Sequence, residues 1–474
     1  MFKRINKQYL AVFLALLISI VIRIFLSQFS GYKVDILDFK LWSQAVYNNG
    51  FANFYSSIWS DYPPFYIYIL WIVGALYKLF FSFSFNIDTT IFTILIKLPA
   101  NVADIAIAYL IFIIIKKYAG FKVAYLGTIS YAFNPGVIYN SAVWGQVDSI
   151  NTFFILLALY LIVSDKLELA SVSMAIAVLT KPQSLVIVPF IALSMVRKGN
   201  LLKMAKVLMS FAIAFLVIAF PFFQRTSMFQ LQNIYTSGYG QYAYNSLNAF
   251  NFWAFLGFWK SDETVFLFLS YKHWSYILFG LLFIYVAFIT FESKDNRNIY
   301  FASAILFFGF FMLFTRVHER YLFPMFAPLI IAASIDKRFN YIYWISSFTF
   351  LFNIHYVLQF LNNDQFISDG NPYVLLTSGI NSVLFIYALY CFSDKNPGII
   401  KNILMKGKNL TSRYIHISSF NFYLASSFKY YLAIILVVLA LLSPLFNHYR
   451  IYLCTFSYSF LSWFSFYKHF FQRP

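Results

Sequence analysis

The chain has 474 residues, of which 61% are hydrophobic and 11% charged, whereas soluble domains carry about 25% charged residues. This composition excludes a water-soluble globular protein, and it also excludes a disordered chain, because so apolar a sequence does not stay solvated. The formal net charge of +18 is typical of nucleic-acid binding only in soluble proteins. In a membrane protein it reflects basic cytoplasmic loops beside anionic lipid, so we expect membrane lipids and not nucleic acid as partners.

Continuous apolar runs predict an all-α polytopic membrane protein with about 12–14 transmembrane helices, because a helix crosses the bilayer with about 20 apolar residues. The alternation of a transmembrane barrel is absent from these runs. Pro182 predicts a kink or a break within 168–196. In chain order, the predicted spans are residues 9–29, 91–115, 122–141, 148–163, 168–181, 183–196, 206–223, 272–291, 298–315, 321–335, 340–360, 373–392, 429–446 and 450–467.

One further apolar segment, residues 63–85, is predicted to lie at the outer surface and not to span. With this assignment most of the 35 Lys and Arg residues fall in inner loops, as the positive-inside rule requires. The basic loop 393–428 is then cytoplasmic, whereas the polar outer segments carry the chemistry. These outer segments are 30–62, 225–262, and the surroundings of Trp144, Lys181 and 316–320.

The first outer loop contains two carboxylates, Asp35 and Asp38, three residues apart and therefore on one face of a helix. An apolar stripe at helical spacing predicts that this helix lies along the membrane surface; the stripe consists of Ile36, Phe39, Trp42 and Val46. Neighbouring carboxyls in a low-dielectric setting can acquire a raised pKa, which suits proton abstraction. The alternative is a helix N-cap and a solvated acid.

Two further acidic positions precede or occupy predicted helices. Asp61 and Tyr62 precede two prolines and are suited either to contact a sugar or simply to begin a helix, with Asp61 as its cap. Lys97 and Asp104 fall inside an apolar span, where ionisable groups are functional or paired. They predict an ion pair with each other or pairs with neighbouring helices, in addition to a role in binding substrate.

Two helix ends carry residues suited to bind a sugar phosphate. Trp144 and Gln146 are suited to stack on and hydrogen-bond a sugar ring, whereas Asp148 serves as a substrate ligand or caps the next helix. Lys181, followed by Gln183 after the proline break, supplies a point charge for phosphate.

The segment 315–324 concentrates ionisable groups between two apolar spans. Arg316 and Arg320 are suited to bidentate phosphate binding, and His318 beside Glu319 is suited to donate a proton or a hydrogen bond. The alternative is a belt of snorkelling side chains that fixes helix depth. Acidic groups early in the chain and cationic groups late in it suit attack by an activated hydroxyl on a carbon that bears a phosphate.

In this order the segments resemble the membrane-embedded GT-C glycosyltransferases that use polyprenyl-phosphate sugars. They are most similar to the dolichyl-phosphate-glucose glucosyltransferases of N-glycan assembly and to bacterial mannosyltransferase-like relatives. The matching landmarks are Asp35 with Trp42, the Asp-Tyr-Pro-Pro at 61–64, Lys97 with Asp104, the Asn-Pro-Gly and aromatic–Gln segment at 134–146, Lys181 with Gln183, and Val-His-Glu at 317–319.

The resemblance implies an inverting hexosyltransferase in which Asp35 is the general base and His318 with nearby cations handles the phosphate. It implies a GT-C-like catalytic module over 1–335, with juxtamembrane helices in the outer loop 30–90 and further transmembrane helices over 336–474. The donor is a polyprenyl-phosphate hexose, glucose or mannose, and the acceptor is a glycan or a lipid-linked molecule. The loop 237–253 departs from the eukaryotic pattern.

No cofactor is required by these residues, although Asp35 and Asp38 are suited to hold a divalent cation. The residue usage favours the bacterial plasma membrane, with the site on its extracytoplasmic face. The alternative function is a lipid-linked oligosaccharide flippase or a secondary transporter, although transporters usually carry internal repeats that this sequence lacks.

Overall fold

A computed structural model of the protein describes residues 7–81 and 84–396. Over these residues the fold is all-α, as predicted, with sixteen α-helices and one small β-hairpin. The predicted spans 429–446 and 450–467, and most of the loop 393–428, lie outside the described residues.

The helix boundaries follow the apolar runs closely. The first eight helices are α1 (Lys7–Leu26), α2 (Lys33–Asn49), α3 (Phe54–Ser57), α4 (Pro64–Phe80), α5 (Thr90–Ala132), α6 (Pro135–Ile138), α7 (Asp148–Val163) and α8 (Leu167–Thr180). The remaining eight are α9 (Val188–Val196), α10 (Leu201–Phe223), α11 (Phe229–Gly240), α12 (Tyr271–Glu292), α13 (Asn298–Leu313), α14 (Phe326–Ile335), α15 (Arg338–Asn362) and α16 (Pro372–Asp394).

Shorter elements join these helices. A π-helical turn covers Tyr139–Trp144, and 3₁₀ turns cover Phe51–Asn53, Pro182–Val186, Phe252–Leu256 and Glu319–Met325. Strands β1 (Val265–Phe266) and β2 (Leu269–Ser270) pair antiparallel, with Val265 opposite Ser270.

Five of the described helices, α1, α5, α10, α12 and α16, are long and apolar enough to cross a membrane by length and composition. Helices α4, α7, α8 and α13 are apolar but shorter. The predicted break in 168–196 is confirmed, because α8 and α9 are separate helices joined through the 3₁₀ turn that begins at Pro182.

Helix α5 is a helical hairpin that turns at Gly120, whose φ is +80°. Its two arms pack closely: the rings of Phe112 and Phe121 lie 5.4 Å apart, and a Cβ on Gly127 would lie 2.5 Å from Ile115. The arms correspond to the predicted spans 91–115 and 122–141, although the second arm ends at Ala132.

Helix α1 is joined to α5 by a fully buried ion pair. Arg23 Nη1 lies 3.6 Å from Asp104 Oδ2, and Arg23 Nη2 donates to the carbonyl of Ala132 at 2.9 Å. The predicted pair between Lys97 and Asp104 is therefore wrong, and the alternative of pairing with a neighbouring helix is confirmed. Asp104 is fully buried in this contact and does not line an open site.

Basic residues from several predicted inner loops meet at one end of the helices. Arg297 lies 5.9 Å from the Tyr118 ring centre. Lys395 Nζ lies 3.3 Å from an oxygen of Asp295, which also pairs with Arg297. Because α7 and α13 each rise about 24 Å along their length, their other ends, at Asp148 and Leu313, lie far from this basic end.

Helix α15 packs against α14 and the 3₁₀ turn Glu319–Met325. Its Asn353 accepts a hydrogen bond from Phe250 N at 3.0 Å and donates to the Asn248 carbonyl at 2.9 Å, which fixes the loop before α12. The predicted domain boundary at 335 stays a prediction, and α15 supports the same loop that precedes the site described next.

Candidate functional site

Helix α2 carries the two first-loop carboxylates and is held by its apolar stripe. Ile36, Phe39, Trp42 and Val46 are each at most 4% exposed. The Phe39 ring packs against Tyr62 and Tyr66, 5.6 and 5.4 Å away, at the start of α4. The predicted helix is confirmed, but its stripe packs against protein and not along a membrane surface. Asp35 and Asp38 remain half-buried.

Asp35 is oriented by two side chains from a distant part of the chain. Trp144 Nε1 and Gln146 Nε2 both donate to Asp35 Oδ2, at 3.2 and 2.5 Å. Trp144 is fully buried and donates to Asp35, and the predicted stacking of its ring on a sugar stays a prediction. Among the described side chains and backbone groups none donates to Asp35 Oδ1, which leaves that oxygen available to a reactant.

The turn that carries these donors is a π-helical turn, an irregularity common at functional sites. It ends at Gly145, whose φ is +92°, and the amides of Gly145 and Gln146 both donate to Asn140 O, at 3.1 and 2.9 Å. Lys97 Nζ donates to the carbonyls of Val143, Ala142 and Phe29 at 2.8, 3.2 and 2.5 Å. Lys97 is fully buried and holds the turn, whereas its predicted contact with substrate stays a prediction.

The approach to α2 also depends on a glycine. Gly31 has a φ of +68°, and a Cβ at this position would lie 2.1 Å from the carbonyl oxygen of Trp144. We expect Gly31→Ala to destabilise the fold by about 2–4 kcal/mol, from left-handed strain and overpacking. The control is Gly50→Ala, which has a similar φ of +72° but open space around it. Thermal unfolding midpoints of the two variants would be compared, and an equal loss in both would contradict the close packing at Trp144.

Lys181 lies at the end of α8 in a buried ion pair. Its Nζ is 2.6 Å from Asp148 Oδ1, and both side chains are at most 3% exposed. Asp148 begins α7 without capping it, because the N-cap residue is Val147 and has no side-chain bond. Asp148 therefore contacts Lys181 and is not the predicted cap, whereas its predicted role as a substrate ligand stays a prediction. Lys181 also lies 5.9 Å from the centre of the Tyr321 ring.

Arg316 is occupied by a partner that sequence reasoning missed. Asp262 accepts from Arg316 Nε at 2.6 Å and from Nη2 at 3.0 Å, and the Tyr239 ring centre lies 4.5 Å from the guanidinium carbon. Asp262 is fully buried and also accepts from Thr315 Oγ1 at 3.1 Å. Nη1 also donates to the Tyr239 carbonyl at 3.2 Å, so both edges of this guanidinium are used. The predicted binding of phosphate by Arg316 stays a prediction.

Arg320 is the less occupied of the two arginines. Its Nη1 donates to Glu319 Oε1 at 2.7 Å, whereas its buried Nε has no hydrogen-bond partner among the described residues. Arg320 interacts electrostatically with Asp35 and with Asp61. Glu319 is 1% exposed, so the segment faces the interior of the bundle, which does not fit a snorkelling belt.

Three carboxylates, Asp35, Asp38 and Asp61, influence one another in this cluster. Burial raises the pKa of Asp38 to about 6, and the negative charges of Asp35 and Asp61 add to this effect. Burial also raises the pKa of Asp61, whereas Arg320 and Lys181 act in the opposite direction. Asp61 does not cap α4, whose N-cap residue is Pro63.

The raised pKa of Asp38 predicts that replacing this residue with the neutral asparagine stabilises the fold in a pH-dependent way. Because the folded pKa of about 6 exceeds the ordinary value of 3.8 for an aspartate, the stabilisation from proton binding is complete below about pH 3.8 and is lost as pH rises through about 6. We expect Asp38→Asn to raise the unfolding temperature at pH values well above 6, with a difference that vanishes near pH 4. Thermal unfolding across pH checks this, with Asp88→Asn as an exposed control; a difference independent of pH would contradict it.

His318 lies between two tyrosines at the start of the 3₁₀ turn. Burial lowers its pKa well below the usual value, and the positive charges of Arg320 and Lys181 lower it further. The imidazole is therefore neutral at pH 7 and offers a hydrogen bond without positive charge. Its ring centre is 5.4 Å from that of Tyr242 and 5.2 Å from that of Tyr321. Tyr242 also interacts electrostatically with Arg320, Asp61 and Asp35, and sequence reasoning missed it.

Two buried amide oxygens belong to the same group of residues. Gln146 Oε1 and Gln183 Oε1 have no hydrogen-bond partner among the described residues. Gln183 shares a side-chain hydrogen bond with Tyr321. Tyr62 is 9% exposed, and its ring packs against Trp42 and Phe39 beside Asp61. Such unpartnered acceptors can accept hydrogen bonds from the hydroxyl groups of a sugar.

No metal centre was assigned. Within residues 7–81 and 84–396, no group of three or more His, Cys, Asp or Glu side chains is arranged to hold a metal ion. The suitability of Asp35 and Asp38 for a divalent cation stays a prediction.

Comparisons with known proteins do not test the resemblance to GT-C glycosyltransferases. No protein-family model matches the chain, and no curated protein matches it in sequence. The similarity to GT-C glycosyltransferases therefore stays a prediction from residues and their order, and function has to be argued from the geometry and charge of the site.

Proposed function

We propose that this chain is an integral membrane inverting glycosyltransferase that moves a hexose from a polyprenyl-phosphate carrier to a glycan or lipid-linked acceptor. The proposal includes a GT-C-like bundle of about 12–14 spanning helices with its site on the extracytoplasmic face of a bacterial plasma membrane. The basic helix ends at 116–122, 294–297 and 337–338 favour that orientation, because they lie at the end of the helices opposite Asp148 and Leu313.

The observation that carries the proposal is that the oriented carboxylate of Asp35 interacts electrostatically with Arg320. These residues are remote in sequence, yet Asp35 is oriented by Trp144 and Gln146 while Arg320 interacts with it electrostatically and keeps a buried Nε without a partner. A fixed carboxylate with one open oxygen, within electrostatic range of an incompletely paired guanidinium, provides a base for a hydroxyl and a donor for a phosphate.

The reaction follows from these groups. Asp35 Oδ1 takes the proton of the acceptor hydroxyl, whose oxygen forms a bond to C1 of the hexose. The bond between C1 and the phosphate oxygen breaks, and its electron pair leaves with the polyprenyl phosphate. Arg320 stabilises the charge on this phosphate, with Lys181 nearby, and such electrostatic stabilisation is worth roughly 3–4 kcal/mol per donor. The proton on Asp35 then passes to water.

The neutral His318 modifies the role that the resemblance gives it. Since its pKa is low, it supplies a hydrogen bond to the phosphate or to the sugar, and Arg320 supplies the charge. The unpartnered oxygens of Gln146 and Gln183 would accept hydrogen bonds from the sugar hydroxyls. Asp61 and Tyr242 would make further hydrogen bonds to the sugar.

The test is transfer by the purified full-length protein in lipid nanodiscs. Polyprenyl-phosphate glucose and polyprenyl-phosphate mannose, each with a radiolabelled sugar, are offered with lipid-linked and free glycan acceptors. A labelled glycoside together with released polyprenyl phosphate supports the proposal. Movement of an intact lipid-linked oligosaccharide across proteoliposome membranes, with no new glycosidic bond, would instead establish the flippase or transporter alternative.

A further inference from the structure

The β-hairpin before α12 presents four apolar residues, 265–268, as an exposed tip. Val265, Leu267 and Phe268 are 67%, 75% and 73% exposed, and Phe266 is 40% exposed. Four consecutive apolar residues with this exposure are costly in water. The tip therefore needs a covering that the described residues do not supply.

The turn of this hairpin contains local strain. Leu267 has a φ of +61°, at the first central position of a two-residue turn where glycine is the residue of lowest cost. A leucine in the left-handed region costs roughly 1–2 kcal/mol. The turn therefore places a bulky apolar side chain at the position where glycine would cost least.

The tip is continuous with an exposed apolar face of α12. The indole Nε1 of Trp274 donates to the Phe266 carbonyl at 2.9 Å, and the Trp274 and Phe268 ring centres are 5.0 Å apart. From Trp274 the same helix face continues, at helical spacing, through residues that are 42%, 61% and 58% exposed, respectively Ile277, Leu281 and Ile284. α12 is one of the helices long and apolar enough to cross a membrane.

The base of the hairpin is polar and tied to the candidate site. Glu263 pairs with Lys272, and Asp262 holds Arg316, which precedes His318 by two residues. The hairpin thus places an apolar tip, an indole at a helix end and a charged base one after another. This is the spatial order of groups found at a bilayer interface.

We propose that residues 265–268 form a lipid anchor that inserts into the boundary between headgroups and acyl chains at the site end of α12. The occupant is the bilayer itself, because the tip extends the exposed apolar face of α12, a helix long and apolar enough to cross a membrane. Through Asp262 and Arg316 the anchor fixes the depth of the 315–320 segment relative to the membrane. This inference depends on α12 crossing the bilayer and not on glycosyl transfer.

The test uses the full chain in nanodiscs after Cys391→Ala and Cys454→Ala, with one environment-sensitive fluorophore on an introduced cysteine. The reporters are Val265→Cys at the tip, Leu281→Cys on the exposed face of α12, and Gln365→Cys in an exposed polar loop. Nitroxide lipids quench at either a shallow or a deep acyl position. We expect shallow quenching at 265, deep quenching at 281 and little quenching at 365.

A second pair of variants separates anchoring from folding. Leu267→Gly with Phe268→Ser removes the apolar side chains and the left-handed leucine, so we expect an unfolding temperature in detergent that does not fall but several-fold weaker shallow quenching at 265. Quenching at 265 equal to that at 365 in the intact tip would overturn the proposal. Blue-shifted emission at 265 that appears only when two copies share a nanodisc would also overturn it, because the occupant would then be a second copy. Sugar transfer is not measured here, so its failure leaves this result unaffected.

Discussion

Asp35→Asn is expected to lower the rate of hexose transfer by about 10²–10⁴-fold, the range that a positioned general base contributes. The amide keeps the shape of the side chain and can still contact Trp144 and Gln146, but it cannot accept the proton of the acceptor hydroxyl. The measurement is single-turnover transfer from the polyprenyl-phosphate sugar in nanodiscs, with binding of the donor measured separately. Donor affinity should change little, since Arg320 remains in place.

The matched control is Asp165→Asn, the same chemical change at the basic end of the helices, where Asp165 pairs with Lys198 at 2.7 Å. We expect this variant to transfer at the rate of the unmodified protein. Asp35→Glu should recover part of the activity, because it restores a carboxylate at a shifted position. Full transfer by Asp35→Asn would remove Asp35 from the role of base and leave Asp38 and Asp61 as the remaining candidates.

Helical periodicity and apolar run length were sufficient to predict most of the described helices. The span predicted at 148–163 coincides with α7, because a polar residue begins an uninterrupted apolar run there. The stripe on α2 was also readable, yet the surface that covers it was not. Nothing in the residues 36–46 distinguishes a lipid surface from the aromatic rings of α4, because both are apolar.

The ion pairs were predicted less well than the helices. Lys97 and Asp104 stood out as ionisable groups in an apolar span, but their partners depend on which helices pack together. Arg23, the partner of Asp104, also lies in an apolar run and carries the same signal. Asp262, the partner of Arg316, lies in a loop without a recognisable pattern, so only the fold reveals it.

The orientation of Asp35 could not be predicted from the sequence for a related reason. The landmark at 134–146 identified Trp144 and Gln146, but the rare π-helical turn that aims them at Asp35 has no sequence pattern that predicts it. Asn134 makes tertiary contacts: its Nδ2 donates to Ser347 Oγ at 2.7 Å and to Tyr343 Oη at 2.9 Å on α15. Helix α15, which the sequence analysis placed among the further transmembrane helices of 336–474, therefore supports the site.

Lys97→Met is expected to lower the rate of transfer by about 10²-fold, which is the cost of misplacing a reacting group by about 1 Å. The three donors of its ammonium are used on the carbonyls of Phe29, Ala142 and Val143. Methionine fills the space but leaves these buried carbonyls without a donor, so the turn that carries Trp144 and Gln146 shifts. Lys97 thus acts as a positioning residue, and the loss should fall on kcat for the acceptor reaction with little change in KM for the donor.

The control for Lys97→Met is Lys198→Met, in which a lysine that binds the Ile162 carbonyl at 2.7 Å is removed from the basic end. A purely structural role would lower the unfolding temperature of both variants while leaving the rate per folded molecule unchanged, and that result would contradict positioning. If Lys97→Met does not fold, Gln146→Leu isolates the same effect, because it removes one donor to Asp35 and keeps the lysine contacts. A normal kcat in Gln146→Leu would then mean that the orientation of Asp35 does not depend on this turn.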